Sequence, residues 1–443
     1  MRRTIIIGSN HAGIAAANTL LAYYPDQEVT MIDKNSNLSY LGCGTALWVG
    51  RQIESSDQLF YATKEEFEAK GASIYLETAV ERIDFYAKKV FCKDSNGTTF
   101  YKEYDKLILA TGSIPIAPQI PGNTLENIHF LKKFQDGQAV DKLVGLTSIR
   151  KVAVIGAGYI GVEIAEAIKR RGKDVLLFDG APRSLSNYYD PEFTDEMDRN
   201  LSVNGIELHF DEIATAYKGS NKVEKIVTNK GEYVVDLVIN AIGFLPNNSL
   251  GKSNLELFEN GAYLVDENQQ TSDPSVYAVG DCATLYSNAL RKTTYIALAT
   301  NAVRSGIVAG HNVGGTPLAS SGVQGSNGIS IFGLNMVSTG LSVEAAKKHQ
   351  LEVLYTDYTD LQKPAFMTEN HSVAIRIVYE KETRRIVGAQ MSSRADISMA
   401  IHLFSLAIQK NLTIDELKLL DLFFLPHFNQ PYNYITMAAL NAE

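Results

Sequence analysis

The chain has 443 residues, enough for about three domains with large buried cores. A net charge of −9 without any Lys/Arg cluster excludes a nucleic-acid footprint, and three cysteines without regular spacing exclude a disulfide scaffold and fit a reducing cytoplasm. No apolar run reaches the roughly 20 residues that span a bilayer and no signal-peptide pattern follows Met1-Arg2-Arg3-Thr4, so a cytoplasmic protein without membrane contact is expected.

The chain opens on a short apolar strand, Ile5-Ile6-Ile7. A loop Gly8-Ser9-Asn10-His11-Ala12-Gly13 follows, then a helical stretch from Ile14 to Tyr24 and a second strand, Glu28 to Ile32, ending at Asp33. This βαβ opening resembles a dinucleotide fingerprint with asparagine in place of the middle glycine, and Asp33, roughly 20 residues after the loop, supports that reading. Next comes Ser39-Tyr40-Leu41-Gly42-Cys43-Gly44-Thr45, a single cysteine between glycines, with a helix predicted from Thr45 to Val49. The nearest other cysteines, Cys92 and Cys282, are remote in sequence and read as structural. A free cysteine is most often a small buried hydrophobe, but a helix N-terminus lowers a thiol pKa, so Cys43 is expected to work alone as a thiolate nucleophile.

Residues 73–109 alternate like antiparallel strands and end at Leu107-Ile108-Leu109-Ala110-Thr111-Gly112, after which Pro115, Pro118 and Pro121 mark a linker. The βαβ pattern then restarts. The strand Val152 to Ile155 leads into Gly156-Ala157-Gly158-Tyr159-Ile160-Gly161, a helix from Val162 to Arg171 and a strand, Val175 to Phe178, that ends at Asp179. Its glycines permit a tight turn and close approach of backbone to a pyrophosphate, which the helix N-terminus receives. Asp179 suits the two ribose hydroxyls of an adenosine. Arg183 is the only nearby cation, which favours NADH over NADPH. Two nucleotide folds in one chain imply two cofactors, most economically FAD at the first and a nicotinamide dinucleotide at the second. Further on, an apolar strand from Asp236 ends at Gly243, and Tyr277-Ala278-Val279 stops at Gly280-Asp281. Beyond about residue 320, glycine-rich strands, a helix near Ser342 to His349 and an aromatic tail suggest an α+β unit. His11 sits where a pyrophosphate should bind; it is either a phosphate-contacting cap or a group for proton transfer.

The motifs Gly8 to Gly13, Ser39 to Gly44, Ala110-Thr111-Gly112-Ser113, Gly156 to Glu163, Tyr277 to Asp281, Ala297 to Arg304 and His427 to Tyr434 occur in that order. Together they resemble the single-cysteine branch of the flavoprotein disulfide reductases, over essentially the whole chain and most closely its water-forming NADH oxidases. The resemblance implies an α/β fold with two Rossmann-like units and a C-terminal α+β dimerisation unit. The FAD unit would take residues near 1–115 and 241–320, the NADH unit 116–240, and the dimer interface 321–443. It implies that Gly8, Ser9, Asn10, His11, Ala12, Gly13, Asp33, Cys43, Val80, Ala110, Thr111, Gly112, Ser113, Lys132, Gly243, Asp281, Leu298, Ala299, Thr300 and Phe424 contact cofactor. Gly156, Gly158, Tyr159, Ile160, Gly161, Glu163, Asp179 and Tyr188 would place the nicotinamide dinucleotide, with Tyr159 over the flavin face.

The implied activity is four-electron reduction of O2 to water by NADH. Peroxide formed beside Cys43 would be opened by its thiolate, leaving a sulfenic acid for a second NADH to reduce, with His11 serving the departing oxygen. The glycines beside Cys43 are expected to leave room for oxygen and the flavin ring. No metal is expected. An NADH peroxidase consuming H2O2, a coenzyme A-disulfide reductase and a non-catalytic redox sensor stay open on sequence alone.

Overall fold

The computed structural model describes residues 2–443. Three five-stranded sheets organise them. The first is wholly parallel, in the order Val276–Ala278, Lys106–Leu109, Arg2–Ile7, Gln27–Ile32, Ser73–Tyr75. Ile5, Ile6, Leu107, Ile108 and Leu109 are buried, as strands covered on both faces require. The helix His11–Tyr23 lies on one face, and the long helix Ala299–Gly314 packs along it. The residues are small where they meet: a Cβ on Gly306 would collide with the Ala12 carbonyl, and one on Gly310 would meet Thr19.

The second sheet repeats the first in the order Ile206–His209, Asp174–Phe178, Lys151–Ile155, Leu237–Asn240, Ile128–Phe130. The α/β fold with two Rossmann-like units is therefore as the sequence predicts. The alternating stretch at 73–109 is antiparallel only in its middle, where Thr78–Asp84, Lys89–Asp94 and Thr99–Glu103 form a meander. Its two ends are parallel strands of the first sheet, because Ser73–Tyr75 lies beside Thr30–Ile32 and Lys106–Leu109 beside Thr4–Ile7.

The third sheet is antiparallel, in the order Asn327–Ile331, Leu334–Gly340, Ile386–Ser393, Ser372–Glu380, Val353–Leu361. The helices Ile401–Gln409 and Tyr434–Leu440 cover it with a core of Ile375, Ile377, Phe404, Ile408 and Ala438. A buried ionic clasp joins this unit to the second sheet's unit. Fully buried Asp190 accepts from the Val343 and Glu344 amides, each at 3.1 Å, and from Gln390 Nε2 at 2.6 Å, with Arg376 Nη1 at 3.3 Å. Arg376 is itself buried and also binds Asp357 and Glu192. Among the described residues no helix is long and apolar enough to cross a membrane.

Candidate functional site

Cys43 sits in a single turn of 3-10 helix, Gly42–Gly44, immediately before the five-residue helix Thr45–Val49. The Thr45 hydroxyl closes the turn by donating to the Gly42 carbonyl at 2.7 Å, and it also meets the Tyr40 hydroxyl. Beneath lies an aromatic floor in which Tyr40, Phe60, Phe134 and Trp48 pack with Leu59. The turn is clipped to the first fingerprint loop through Ser39, whose amide donates to the Ser9 carbonyl at 2.9 Å. The Ser39 hydroxyl accepts from the Tyr61 and Ala62 amides at 3.2 and 3.0 Å. Tyr61 is thereby placed so that its phenol meets His11 Nδ1 at 2.8 Å, with the two rings stacked 5.6 Å apart. Nothing in the sequence singled out Tyr61; its only signal was an aromatic residue where the chain returns to the cysteine loop.

Cys43 is the one cysteine that reaches solvent, while Cys92 and Cys282 are buried. Though open to the cleft, the thiol is walled by protein on most sides. That burial and the Glu163 carboxylate push its pKa up, with Lys132 opposing. The expectation of a thiol acidified by a helix N-terminus is therefore overturned for the free chain. The following helix has only five residues, too few for a strong dipole, and burial outweighs it. A Cβ on Gly44 would collide with Leu59, so this glycine also lets the turn pack against that side chain. Gly42 meets only Tyr40, at ordinary contact distance.

Charges converge on Cys43 from several elements. Lys132 Nζ donates to Ser113 Oγ at 2.7 Å and to Asp281 Oδ2 at 3.0 Å, and Ser113 donates to the same carboxylate at 2.9 Å. Burial lowers the His11 pKa from its ordinary 6.5, against the pull of Asp281, and so favours the uncharged ring. Glu163, one turn into the second fingerprint helix, is pushed up to about 7 by burial and by Glu166.

The two fingerprint loops can be tested for dinucleotide fit. The helices His11–Tyr23 and Tyr159–Arg170 both start without a side-chain cap or a first-turn acid, so their leading N–H groups have no partner within the helix. The helix Ala299–Gly314, with Leu298 at its N-cap, starts the same way and presents Ala299 and Thr300. Gly8 and Gly156 hold positive φ of 110° and 102°, and a Cβ on either would collide with the Ala110 or Ala241 carbonyl. Around Gly158 the space is open. A cavity beside Asp33 is lined by Lys34, Asn35, Glu77, Ala79, Lys133 and Gln135, with Val80 next along that strand. Gly112 and Gly243, at positive φ, shape the crossings between the two units. There the Thr111 hydroxyl donates to the Asn247 carbonyl and the Ile116 amide to that of Gly243. These features fit two bound dinucleotides.

Tyr159 packs edge-on against Tyr188 at 4.5 Å, and its hydroxyl meets Tyr189 at 2.9 Å and the Asn327 carboxamide oxygen. Asn327 comes from the C-terminal sheet and also accepts from Ser338. Sequence reasoning missed it because its partner lies 168 residues away. Phe424 stands exposed in the C-terminal tail and is not gathered into the Cys43 cluster by any hydrogen bond or aromatic pair among the described residues.

Comparison with known proteins agrees with this architecture. Residues 2–306 match the pyridine nucleotide-disulphide oxidoreductase family and residues 328–433 its dimerisation domain. The chain is 62% identical to an NADH oxidase of Lactococcus lactis subsp. cremoris and 53% identical to one of Streptococcus pyogenes, each over the full length of both chains. Among solved structures it is similar to the water-forming NADH oxidase of Lactobacillus brevis bound to NADH, with a TM-score of 0.96 and 35% identity, covering 99% of this chain and 98% of that one. With both nucleotide folds, the C-terminal sheet and the intervening thiol accounted for, the chain belongs to the pyridine nucleotide-disulphide oxidoreductases.

Proposed function

We propose that the chain is an FAD-dependent NADH oxidase that reduces O2 to water, with Cys43 cycling between thiolate and sulfenic acid. The observation that carries the reading is the position of Cys43: a single reachable thiol between two dinucleotide folds, with no second cysteine open to solvent. FAD would be held by the first loop (Gly8, Ser9, Asn10, His11, Ala12, Gly13), by Asp33, by Lys132 with Ser113 and Asp281, and by the N-terminus of Ala299–Gly314. NADH would lie along Gly156–Gly161 with its ribose at Asp179 and its nicotinamide end near Tyr159, Glu163 and Tyr188. These roles give the FAD unit residues 1–115 and 241–320, the NADH unit 116–240 and the dimerisation unit 321–443. When bound, FAD supplies the hydride acceptor for NADH and the electron donor for O2.

The chain's own chemistry then follows. The Cys43 sulfur attacks one oxygen of H2O2, forming an S–O bond as the O–O bond breaks: Cys–S⁻ + H2O2 + H⁺ → Cys–SOH + H2O. NADH restores the thiol: Cys–SOH + NADH + H⁺ → Cys–SH + NAD⁺ + H2O. Summed with the NADH that reduces O2, the turnover is 2 NADH + O2 + 2 H⁺ → 2 NAD⁺ + 2 H2O. Cys43 must shed its proton first. His11, held by Tyr61, would take that proton and return it to the departing oxygen. The exposed side chains of Leu419, Phe423, Phe424, Leu425, Phe428 and Tyr432 give a homodimer its apolar face. The protein works in the cytoplasm.

NADH-driven oxygen uptake, recorded with and without catalase, tests the reading. Uptake that catalase leaves unchanged is expected. No uptake with NADH alone, but NADH oxidation on adding H2O2, would make it a peroxidase.

A further inference from the structure

Acids crowd the rim of the second nucleotide fold around Asp179. Asp195 and Asp198, on the helix Pro191–Val203, bind Arg183 and Ser184 of the loop that follows Asp179, while Asp211 and Glu212 sit on the turn after the strand Ile206–His209, the Glu212 side chain buried. That turn is bound to the Asp179 segment: the Asp211 amide donates to the Ala181 carbonyl at 3.0 Å, and the Glu212 amide to the Asp179 carbonyl at 2.9 Å. Lys230 and Arg183 bind these segments, and both are engaged. Lys230 Nζ donates to the Phe210 carbonyl at 2.8 Å. Arg183 Nε donates to Asp195 Oδ1 at 2.5 Å. The next residue is stapled to the same helix, since Ser184 gives its amide and hydroxyl to Asp198 Oδ1 at 3.2 and 2.5 Å. Asp179 itself accepts one amide on each oxygen, from Ala157 at 2.6 Å and from Ala181 at 2.7 Å. One lone pair on each oxygen is left for a ribose hydroxyl.

We infer that Asp195 is a positioning residue for coenzyme choice: it holds Arg183 against the helix, so that a 2′-phosphate at Asp179 meets acids and no free guanidinium. The inference rests on the dinucleotide binding at Gly156–Gly161. Arg183 is four residues beyond Asp179, on the loop that leaves the ribose edge, and guanidinium is the side-chain group best shaped for bidentate phosphate binding. Left unpaired, it would be the natural partner of that phosphate. The Arg183–Asp195 pair is partly exposed on both sides. Such pairs are weak, so the clamp shifts preference by a modest factor and is no absolute barrier.

The test uses the FAD-loaded enzyme and three variants: Asp195→Asn, Arg183→Ala and the double substitution. Two ratios are read. One is kcat/KM for NADPH over that for NADH; the other is the calorimetric affinity for adenosine 2′,5′-bisphosphate over that for 5′-AMP, which involves no turnover. Asp195→Asn should raise both by about fivefold, the size of one freed surface charge pair. Arg183→Ala alone should leave both near the wild-type values, and the double variant should lose the gain. If Asp195→Asn changes neither ratio, the clamp does not exist. If the double variant keeps the gain, removal of negative charge is the whole effect and Arg183 plays no part. Wild-type enzyme that neither oxidises NADH nor binds 5′-AMP would overturn the underlying reading as well.

Discussion

The two nucleotide units share one fold but treat their terminal acid and helix differently. Asp33 accepts four donors: the Ser9 amide and hydroxyl on one oxygen, and the Asn35 amide and side chain on the other. Asp179 accepts only two, both backbone amides. The first fingerprint helix is covered along its length by Ala299–Gly314, with backbone nearly touching backbone at Gly306. The second is tied to the C-terminal unit, where Tyr159 reaches Asn327 and Glu166 accepts from the Phe332 amide. On the proposed reading, the first unit suits a resident cofactor that must displace the Ser9 and Asn35 side chains once, on loading. The second keeps its acceptors open for a substrate that comes and goes.

The sharpest break of this comparison is at the thiol both units serve. Cys43→Ser should keep NADH oxidation but release every peroxide, so that catalase returns half the oxygen consumed; unchanged water yield would remove Cys43 from the reaction. Next, Gly8→Val and Gly156→Val place a side chain at positive φ against a carbonyl, each costing about 3 kcal/mol or more locally. They should differ in kind: the first yields protein without bound flavin absorbance, while the second retains the colour but loses reduction by NADH. Identical losses in both would erase the distinction. Arg376→Leu strips the cation from fully buried Asp190 and should cost about 3 kcal/mol, since Asp190 keeps three other donors; a melting temperature within a degree of wild type would refute it.

A last effect is confined to a pH window. Glu163 has its folded pKa raised from 4.5 to about 7, so between those values the folded state holds more protons than the unfolded one. Its contribution is therefore present in acid and lost as pH rises toward 7, by up to about 3 kcal/mol. Glu163→Gln should match wild type in melting temperature near pH 4.5 and exceed it at pH 8. Parallel melting curves across that range would contradict the assignment.

Both fingerprints were legible in the sequence because the signal is local: an apolar strand, glycines at fixed spacing, a helix, and an acid about 20 residues on. The loneliness of Cys43 was legible too, since it needed only a count. What stayed hidden depends on distant partners. His11 leans on Tyr61, Tyr159 on Asn327, and Asp190 on Arg376, each joined across a separation that carries no periodicity. The Cys43 pKa was misjudged for the same reason. A helix start is visible in sequence, whereas burial and Glu163 are not. Edge parallel strands such as Ser73–Tyr75 also escape, because three residues beside a meander look like part of it.

The strand Val276–Ala278 closes the first sheet against Lys106–Leu109, with the whole second sheet inserted between them in the chain. On the ribosome, the second unit therefore has all its strands by Asn240, while the first still lacks one of its own. The guest can fold before the host is complete. The Lys106–Leu109 edge waits unpaired until Val276 is made, about the last 35 residues of that wait falling after Asn240, and the nascent chain can acquire a place for its substrate before it has finished the one for its flavin.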